Sequence, residues 1–376
     1  MLLEQPSFRA DHSVFHRLKI VKKEQLTNSC FSLEFDIPPS LKERFRFSSG
    51  QYVTLRYKHR ENWVVNDYSM TSAPFEERLS LGLKIHSEES SVNSLWADYQ
   101  VGDEMEVSEP KGRFVLKVKP HEFRTILGFA TGIGITPILS HFKTILHSEP
   151  RSRLFLFLGN KTRQDVPFRE VLEALEERYP ERLKVYYFFS EEQTGNAFTQ
   201  GRLDEKKVGL IINQVLHLDE TDEESTIWDS VDEVVICGRG EMIREVANAC
   251  HRHGIPKKNI HFELFETFNE DIFPVEVDFP LVENLEVQFT YNGTTHTARL
   301  ENNKHKILQS LSAEGFAVPF SCKSGICGSC RCRLEHGEVE LLENEYLTEG
   351  EEEKGYILPC MAFALTDKIT LDFDRI

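Results

Sequence analysis

Cysteines are concentrated near the C-terminus of the chain. Five of the eight fall in the last 55 residues, three of them in a C-x4-C-x2-C spacing and another after Leu358-Pro359. Four thiolates in this order hold [2Fe–2S] clusters, and Gly325 and Gly328 would let the loop backbone approach one closely. Zinc sites favour paired C-x2-C hooks, which the chain lacks, and Cys332 is interpreted as a spare thiol. The sequence therefore predicts a [2Fe–2S] cluster with four ligands: Cys322, Cys327, Cys330 and Cys360.

A second candidate site is the run Thr131-Gly132-Ile133-Gly134-Ile135-Thr136-Pro137, which lies between an apolar strand and a helical pattern. Two glycines let a backbone approach a pyrophosphate, and the following helix offers free N–H groups and the positive end of its dipole. Pro137 suits the first helical turn, where no N–H is needed. Because a proline stands where the dinucleotide fingerprint has its third glycine, a plain tight turn remains an equal alternative from these residues alone.

Two other strings end predicted strands with residues that could contact a cofactor. Cys237-Gly238 closes an apolar strand and Met242 follows shortly after it, while the stretch from Asn66 to Pro74 contains Tyr68-Ser69. The residue types leave simpler alternatives open. A free cysteine is commonly a small buried residue, and a Tyr-Ser pair can be an exposed strand end.

The elements that must position these residues fall into regions of different composition. Residues 12–118 read as short alternating strands with turns, which is typical of an antiparallel β-barrel. Residues 119–268 alternate continuous apolar runs with helical patterns, which indicates an α/β domain with a parallel sheet. Residues 269–284 carry acids and two prolines and are interpreted as an acidic linker. Residues 285–376 return to short strands joined by an Asn292-Gly293 turn.

Composition narrows the class of protein. The 376 residues include 61 acidic and 44 basic side chains, a formal charge of −17, and this balance argues against nucleic acid, which requires a basic surface. No apolar run approaches the ~20 residues of a membrane helix, and Glu4 and Pro6 interrupt the N-terminus too early for a signal peptide. We therefore expect a cytoplasmic protein of two or three domains with no stable membrane insertion.

Taken together, these motifs resemble one family. The cysteine spacing is similar to that of plant-type ferredoxins, and the glycine run and the Tyr68-Ser69 string are similar to motifs of ferredoxin-NAD(P)+ reductases. Over residues 12–376 the order of motifs resembles oxygenase reductases with flavin, nicotinamide and ferredoxin domains, most of all the phenylacetyl-CoA epoxidase reductase subunits and their relatives. The resemblance implies FAD and a [2Fe–2S] cluster as cofactors, and an α+β fold of the β-grasp type for residues 285–376.

The resemblance assigns the flavin site largely to the first domain. In the family's R-x-Y-S-x-x-S motif the tyrosine lies against the isoalloxazine and the serine bonds near N5, which receives hydride, so Tyr68 and Ser69 are implied to be catalytic. Asn66 replaces the arginine that pairs with the flavin pyrophosphate, and Ser and Asn replace the family's glycine-rich helix start. The implied flavin residues are Asn66, Tyr68, Ser69, Met70, Ser72, Lys84, Ser91, Val92, Asn93 and Phe265.

The resemblance also assigns the nicotinamide site. The family has C-G-P with a methionine close behind, and Cys237, implied to be catalytic, would lie beside the carbon that gives hydride, although Arg239 replaces the proline. Relatives that use NADPH often have Ser-Arg where this chain has Ser190-Glu191, and the carboxylate would repel a 2′-phosphate and accept from a ribose hydroxyl. We therefore predict NADH, with NADPH disfavoured. The implied residues are Thr131, Gly132, Gly134, Ile135, Thr136, Pro137, Ser190, Glu191, Cys237, Gly238 and Met242.

The implied function is electron transfer from NADH through FAD and the [2Fe–2S] cluster to a protein. The expected acceptor is a terminal oxygenase, hydroxylase or acyl desaturase, and acids near the cluster are candidates to steer a basic partner: Glu335, Glu338, Glu340, Glu343 and Glu345. The alternative is a redox-responsive binding module in which the state of the cluster controls association with a partner. The replacements at Asn66 and Arg239 favour that alternative, which predicts little steady-state NADH oxidation.

Overall fold

The computed structural model describes residues 14–215, 231–266, 268, 270–274, 279–320, 323–342 and 344–375. The chain divides into two compact units, Val14–Thr267 and Phe268–Ile376. The first unit contains an antiparallel sheet followed by a parallel α/β sheet, and the second contains a small mixed sheet. Within the described ranges, no helix is both long and apolar enough to cross a bilayer.

The first part of unit one is a curled antiparallel sheet in the order β4-β3-β6-β1-β2-β5. Its strands are β1 (Phe15–Gln25), β2 (Cys30–Asp36), β3 (Tyr52–His59), β4 (Asn62–Ser69), β5 (Arg78–Lys84) and β6 (Glu104–Ser108), and α1 (Ser91–Ala97) follows β5. The two outer strands approach each other just past β4, where Met70 pairs with Leu81. Alternate residues such as Leu18, Leu33 and Val107 fill the inside of the curl, as the alternating pattern predicts.

The second part of unit one is a parallel sheet in the order β11-β10-β7-β8-β9, with helices between successive strands. Its elements are β7 (Thr125–Thr131), α2 (Ile135–Ser148), β8 (Arg153–Asn160), α3 (Arg169–Arg178), β9 (Leu183–Phe189), α4 (Glu205–Val215), β10 (Glu233–Gly238), α5 (Gly240–Arg252) and β11 (Ile260–Leu264). The central strands β7 and β10 are buried along almost their whole length, as expected of strands covered on both faces. The order places the carboxyl ends of β7, β10 and β11 side by side.

Helix α2 holds the two parts of this unit together. The Ser140 hydroxyl donates to the carbonyl of Ser72 at 2.7 Å. The fully buried His141 is hydrogen-bonded through Nδ1 to the Ser49 hydroxyl at 3.1 Å. Burial, and to a lesser extent the charge of His261, lower the pKa of His141 to about 3, so the ring is neutral. The curled sheet and the parallel sheet are therefore joined by buried, uncharged contacts.

The second unit packs a helix on a mixed sheet in the order β13-β12-β18-β14-β16, beside a two-stranded β15-β17 ladder. Its elements are β12 (Glu283–Tyr291), β13 (Thr294–Asn302), α6 (Ile307–Ala313), β14 (Cys332–His336), β15 (Val339–Leu341), α7 (Glu349–Glu352), β16 (Tyr356–Ile357), β17 (Ala362–Ala364) and β18 (Lys368–Asp372). Asn292 and Gly293 have φ of 51° and 69°, as a two-residue hairpin turn requires, which confirms the predicted turn. Leu308 and Leu311 of α6 are buried in the core.

The described part of the predicted linker packs within the second unit. Ile272 and Phe273 are only 1% and 2% exposed, and the Asp271 carboxylate pairs with the Lys306 ammonium at 2.8 Å. The ring of Phe279 lies against that of Phe363, with 4.8 Å between the centroids. The apolar residues among the acids therefore anchor this segment, a feature that its acidic composition conceals.

Candidate functional site

Polar side chains of β3, β4 and α1 meet around the hydroxyl of Tyr57. The Asn66 amide donates to this hydroxyl at 3.1 Å, which in turn donates to Ser91 Oγ at 3.1 Å and lies 3.2 Å from the Tyr68 hydroxyl. Burial raises the pKa of Tyr68 well above its usual value, and Tyr57 raises it further. The network therefore holds Tyr68 in place as a neutral phenol.

A carboxyl links the predicted flavin serine to the predicted nicotinamide cysteine. Ser69, the last residue of β4, donates to Glu263 Oε2 at 3.1 Å. Glu263 is paired in register with Cys237 across the parallel strands β10 and β11. The cysteine itself is fully buried. We call Ser69, Cys237 and Glu263 the junction, because they join the curled sheet to the carboxyl ends of the parallel strands.

The junction is uncharged at neutral pH. Burial raises the pKa of Glu263 to about 8, against the lowering effect of its hydrogen bond from Ser69. Burial also raises the pKa of the Cys237 thiol well above its usual value, and Glu263 adds to the effect. A thiol that stays protonated is a poor nucleophile. Cys237 therefore offers a small, neutral, water-excluding group rather than covalent chemistry.

The glycine run after β7 is packed against the loop after β10. A Cβ on Gly134 would lie 2.3 Å from the Cys237 carbonyl oxygen, which is backbone and has little room to move. A Cβ on Gly238 would lie 2.2 Å from Thr131 Oγ1 and 2.7 Å from Met242 Cε. The two loops therefore approach closely because both contact points are glycine.

The described cysteines of the predicted cluster site converge in the second unit, while Cys322 lies outside the described residues. The buried thiols of Cys330 and Cys360 are hydrogen-bonded to each other, and Cys360 also receives a backbone hydrogen bond from Gly325. The N–H of Ser329 donates to the sulfur of Cys327 at 3.5 Å. Backbone donors thus point at the sulfurs, as a cluster with charged sulfur ligands needs.

The cysteine loop depends on unusual backbone conformations. Gly325 and Gly328 have φ of 73° and 65°, and a Cβ on Gly328 would lie 2.2 Å from the ring of Tyr346. No three His, Cys, Asp or Glu side chains of the described residues are placed to hold a single metal ion. The buried sulfur donors, the backbone amides and the tight loop fit a [2Fe–2S] cluster.

Comparisons with known proteins agree with this geometry. Family models match residues 17–116 (oxidoreductase FAD-binding domain), 129–248 (oxidoreductase NAD-binding domain) and 289–365 (2Fe-2S iron-sulfur cluster binding domain). The chain is 29% identical to a subunit of 1,2-phenylacetyl-CoA epoxidase from Escherichia coli over 96% of this chain and 98% of that one. It is 31% identical to the ferredoxin reductase component of 3-ketosteroid-9-alpha-monooxygenase from Rhodococcus rhodochrous over 91% and 92%. The chain belongs to the oxygenase reductases.

The solved structure of phthalate dioxygenase reductase shares the fold of this reductase, with a TM-score of 0.51 and 23% identity over 96% of this chain and 98% of that one. The predicted family and the predicted three-part fold are confirmed. The reductase is an NAD(P)H-dependent oxidoreductase with FAD-binding, NAD-binding and [2Fe–2S] domains.

Some predicted cofactor residues of the reductase turn their side chains into the protein. Met70 is fully buried in the core of the curled sheet, and its N–H donates to the Gln51 carbonyl at 3.1 Å. The hydroxyl of the fully buried Ser72 accepts from the Ser80 N–H at 3.1 Å. In the nicotinamide loop the buried side chains are those of Ile135, Thr136 and Pro137. The side chains of these five residues therefore belong to the packing that supports the predicted site.

Other predicted flavin residues occupy varied positions in the reductase. The Lys84 Nζ lies 3.9 Å from where a Cβ on Gly132 would be, so this cation is beside the nicotinamide loop. Val92 packs against the core of the curled sheet, and the Asn93 amide donates to the Glu88 carbonyl at 2.9 Å. Phe265, just after β11, has a ring that is 45% exposed. Of this group, Phe265 is the side chain most available to cover a ring system.

Acidic residues after β9 are paired with bases after β8. Ser190 donates its N–H to the carbonyl of Asn160 at 3.1 Å, and the Glu191 carboxylate lies 3.2 Å from the Lys161 ammonium. Both charged side chains are mostly exposed. Lys161 is a base that the sequence reading missed, because only the strand order β8-β9 brings it beside Glu191.

Two residues of the site could not be identified from the sequence, and the reason is the same for both. Tyr57 lies in a strand that the sequence predicts and Glu263 lies in β11, and neither stands in a recognisable motif. Glu263 becomes visible only through its register with Cys237, and Tyr57 through its position between Tyr68 and Ser91.

Proposed function

We propose that this reductase takes hydride from NADH at the junction and passes electrons to a terminal oxygenase through a cluster on Cys322, Cys327, Cys330 and Cys360. Bound FAD would accept a hydride and release electrons one at a time, and a [2Fe–2S] cluster would carry single electrons. The observation that carries the proposal is the hydrogen bond from Ser69 to Glu263, beside Cys237. It links β4, which carries the flavin motif, to β11, whose Glu263 is paired with the predicted nicotinamide residue Cys237.

We assign the flavin to residues 12–118, the nicotinamide to 119–268 and the cluster to 285–376. The matched family models fall inside these three ranges, which supports the assignment. Residues 269–284 connect the last two ranges.

The protein's contribution to hydride transfer is orientation and exclusion of water. Tyr68 is held by the Tyr57 hydroxyl and is proposed to lie against the flavin. Cys237 is a neutral thiol, so it can pack against the nicotinamide without competing chemistry. Glu263 is protonated at neutral pH and can exchange a proton with the Ser69 hydroxyl that it contacts. No charged side chain of the junction opposes the movement of hydride.

We propose NADH as the preferred donor because of the charge balance after β8 and β9. The Glu191 carboxylate lies 3.2 Å from the Lys161 ammonium, and the Glu192 carboxylate lies 3.8 Å from the Arg163 guanidinium. Two bases that could pair with a 2′-phosphate are thus already occupied by carboxylates. A ribose hydroxyl has no charge to be repelled and can donate to Glu191.

We propose that the acceptor is the oxygenase of a multicomponent system. The relatives named above are components of an epoxidase and a monooxygenase, and a further relative, 25% identical, is the reductase subunit of a glycine betaine monooxygenase from Chromohalobacter salexigens. Glu345 and Tyr346 are exposed beside the cysteine loop, and the Glu345 N–H donates to the Gly325 carbonyl at 3.1 Å. A partner with a basic patch would meet these residues next to the cluster.

An anaerobic titration with NADH tests this function. The purified, cofactor-loaded chain is expected to lose its flavin absorbance first and then to develop the EPR signal of a reduced [2Fe–2S] cluster. NADPH at equal concentration is expected to act more slowly. Failure of both nucleotides to reduce either centre would contradict the proposed function. A chain that is reduced by NADH but passes no electrons to cytochrome c would favour the redox-responsive binding module.

A further inference from the structure

The first residues of the second unit contact the cysteine loop. We call residues 268 and 270–274 the lead-in segment. The carbonyl of Phe268 accepts a hydrogen bond from the Lys323 ammonium at 2.9 Å. Lys323 lies between Cys322 and Cys327 and has a positive φ of 55°, so its side chain leaves the loop from a strained position. The ammonium also stands 4.8 Å from the ring centroid of Phe320.

A second lysine ties the lead-in segment to the other cysteine-bearing stretch. Lys306 is 4% exposed, and its ammonium lies 2.8 Å from Asp271 Oδ2 and 3.5 Å from Met361 Sδ. Met361 directly follows Cys360. A cation just before α6 opposes the helix dipole, and a buried ammonium is costly unless it is paired. The Asp271 carboxylate therefore offsets the free-energy cost of burying the Lys306 ammonium.

The lead-in segment is held by both lysines. Lys323 donates to the carbonyl of Phe268 at 2.9 Å, and the Lys306 ammonium pairs with Asp271 at 2.8 Å. The anchors of the lead-in segment, Ile272 and Phe273, are almost fully buried. The segment thus joins a lysine of the cysteine loop to a lysine that contacts the residue after Cys360.

We propose that Asp271, Lys306 and Lys323 form a charged clamp that sets the reduction potential of the cluster and holds the two cysteine-bearing stretches together. The inference rests on the proposed ligation by the four cysteines. Lys306 is buried and Asp271 and Lys323 are half-buried, so water screens their charges less than it screens charges on the surface. A cluster gains negative charge on reduction, so the lysines favour the reduced form and Asp271 opposes it. None of these three residues is among the proposed cluster ligands.

Reduction potentials of the loaded full-length chain test the clamp. Asp271→Asn removes a negative charge and is expected to raise the cluster potential. Lys306→Met removes a positive charge while keeping the buried volume, and is expected to lower it. At a fixed solution potential, each change should alter the ratio of reduced to oxidised cluster about three- to tenfold, read by EPR. The flavin potential of the same samples should stay unchanged.

The double variant keeps the test interpretable if a single variant folds poorly. Asp271→Asn combined with Lys306→Met leaves a neutral pair, and its potential should return towards the wild-type value. Lys304→Met and Asp367→Asn make the same charge changes at exposed positions of this unit and should have smaller effects.

The possible outcomes separate the clamp from the proposed function. A loaded protein in which Asp271→Asn and Lys306→Met shift the potential no more than the exposed controls would overturn the clamp alone. A wild-type chain that takes up no [2Fe–2S] cluster would overturn the proposed function and the clamp with it. Opposite shifts that cancel in the double variant support the clamp.

Discussion

The junction and the cysteine loop are built in opposite ways. Ser69, Cys237 and Glu263 come from three strands that are far apart in sequence, and strand register brings them together. The cysteine loop places its described ligands Cys327 and Cys330 three residues apart, on a backbone with positive φ at Gly325 and Gly328. The junction is neutral, whereas the cysteine loop is flanked by the buried ammonium of Lys306, paired with the half-buried carboxylate of Asp271. A site made by one loop can therefore be recognised from the spacing of its residues in the sequence, whereas a site made by strand register cannot.

The largest expected effect is loss of the cluster when a cysteine of the cysteine loop is replaced. Cys330→Ser removes a buried thiol that is hydrogen-bonded to Cys360, so it should abolish the [2Fe–2S] spectrum and reduce NADH-dependent cytochrome c reduction by about 100-fold or more. Ferricyanide reduction, which needs only the flavin, should persist.

Cys332→Ser is the matched control for this prediction. Cys332 is equally buried and lies two residues further on, in β14, but it is not one of the proposed ligands. The variant should retain the cluster spectrum. Loss of the cluster in Cys332→Ser, with retention in Cys330→Ser, would reverse the assignment of ligands.

The next effect concerns the close approach of the two loops beside the junction. Gly134→Ala would force a methyl group to within 2.3 Å of a backbone oxygen, and overpacking of this kind costs about 1–3 kcal/mol. Flavin reduction by NADH should slow by about tenfold or more in stopped-flow measurements. Gly209→Ala, which meets nothing within 4 Å, should react like the wild type, and an equal loss in both variants would point to a general effect on folding.

A smaller effect is expected for nucleotide choice. Glu191→Gln frees the Lys161 ammonium, which lies 3.2 Å from this carboxylate, to pair with a 2′-phosphate. The ratio of kcat/KM for NADPH to that for NADH should rise about fivefold to tenfold. Glu173→Gln breaks a similarly exposed pair with Arg169 on α3 and should leave the ratio unchanged. An unchanged ratio in Glu191→Gln would show that Glu191 does not determine the preference between NADH and NADPH.

The smallest effect is a pH dependence at the junction. Above pH 8 Glu263 becomes a carboxylate, and its negative charge opposes the arrival of hydride, so flavin reduction should slow severalfold as the pH rises through about 8. Glu263→Gln should give a flat profile across this range. A wild-type profile that is also flat would show that the carboxyl lies outside the reaction.

The same group affects stability in a defined direction. Its pKa is raised from 4.5 to about 8 in the folded chain, so the folded state binds more protons than the unfolded state between these values. Its contribution to the free energy of unfolding therefore decreases as the pH rises from about 4.5 to 8. Urea denaturation at several pH values should show this slope in the wild type and a weaker slope in Glu263→Gln.

The sequence predicted the fold and the motifs well because their signals are local. Alternation in the first sheet, apolar runs in the second and the Asn292-Gly293 turn are each decided by neighbouring residues. Glu263, Tyr57 and Lys161 were missed because their partners lie on adjacent strands whose order no local pattern reveals. The acidic stretch around Asp271 reads as a linker because the buried partner of that residue, Lys306, stands 35 positions away.

Rapid anaerobic mixing of NADH with the wild type and with Cys330→Ser tests the central claim most directly. The account predicts that flavin absorbance bleaches at the same rate in both proteins and that the cluster signal follows only in the wild type. Such a result would show that hydride is accepted at the junction, independently of the cysteine loop. Flavin that stays oxidised in both proteins, or a cluster that is reduced before the flavin, would contradict the account.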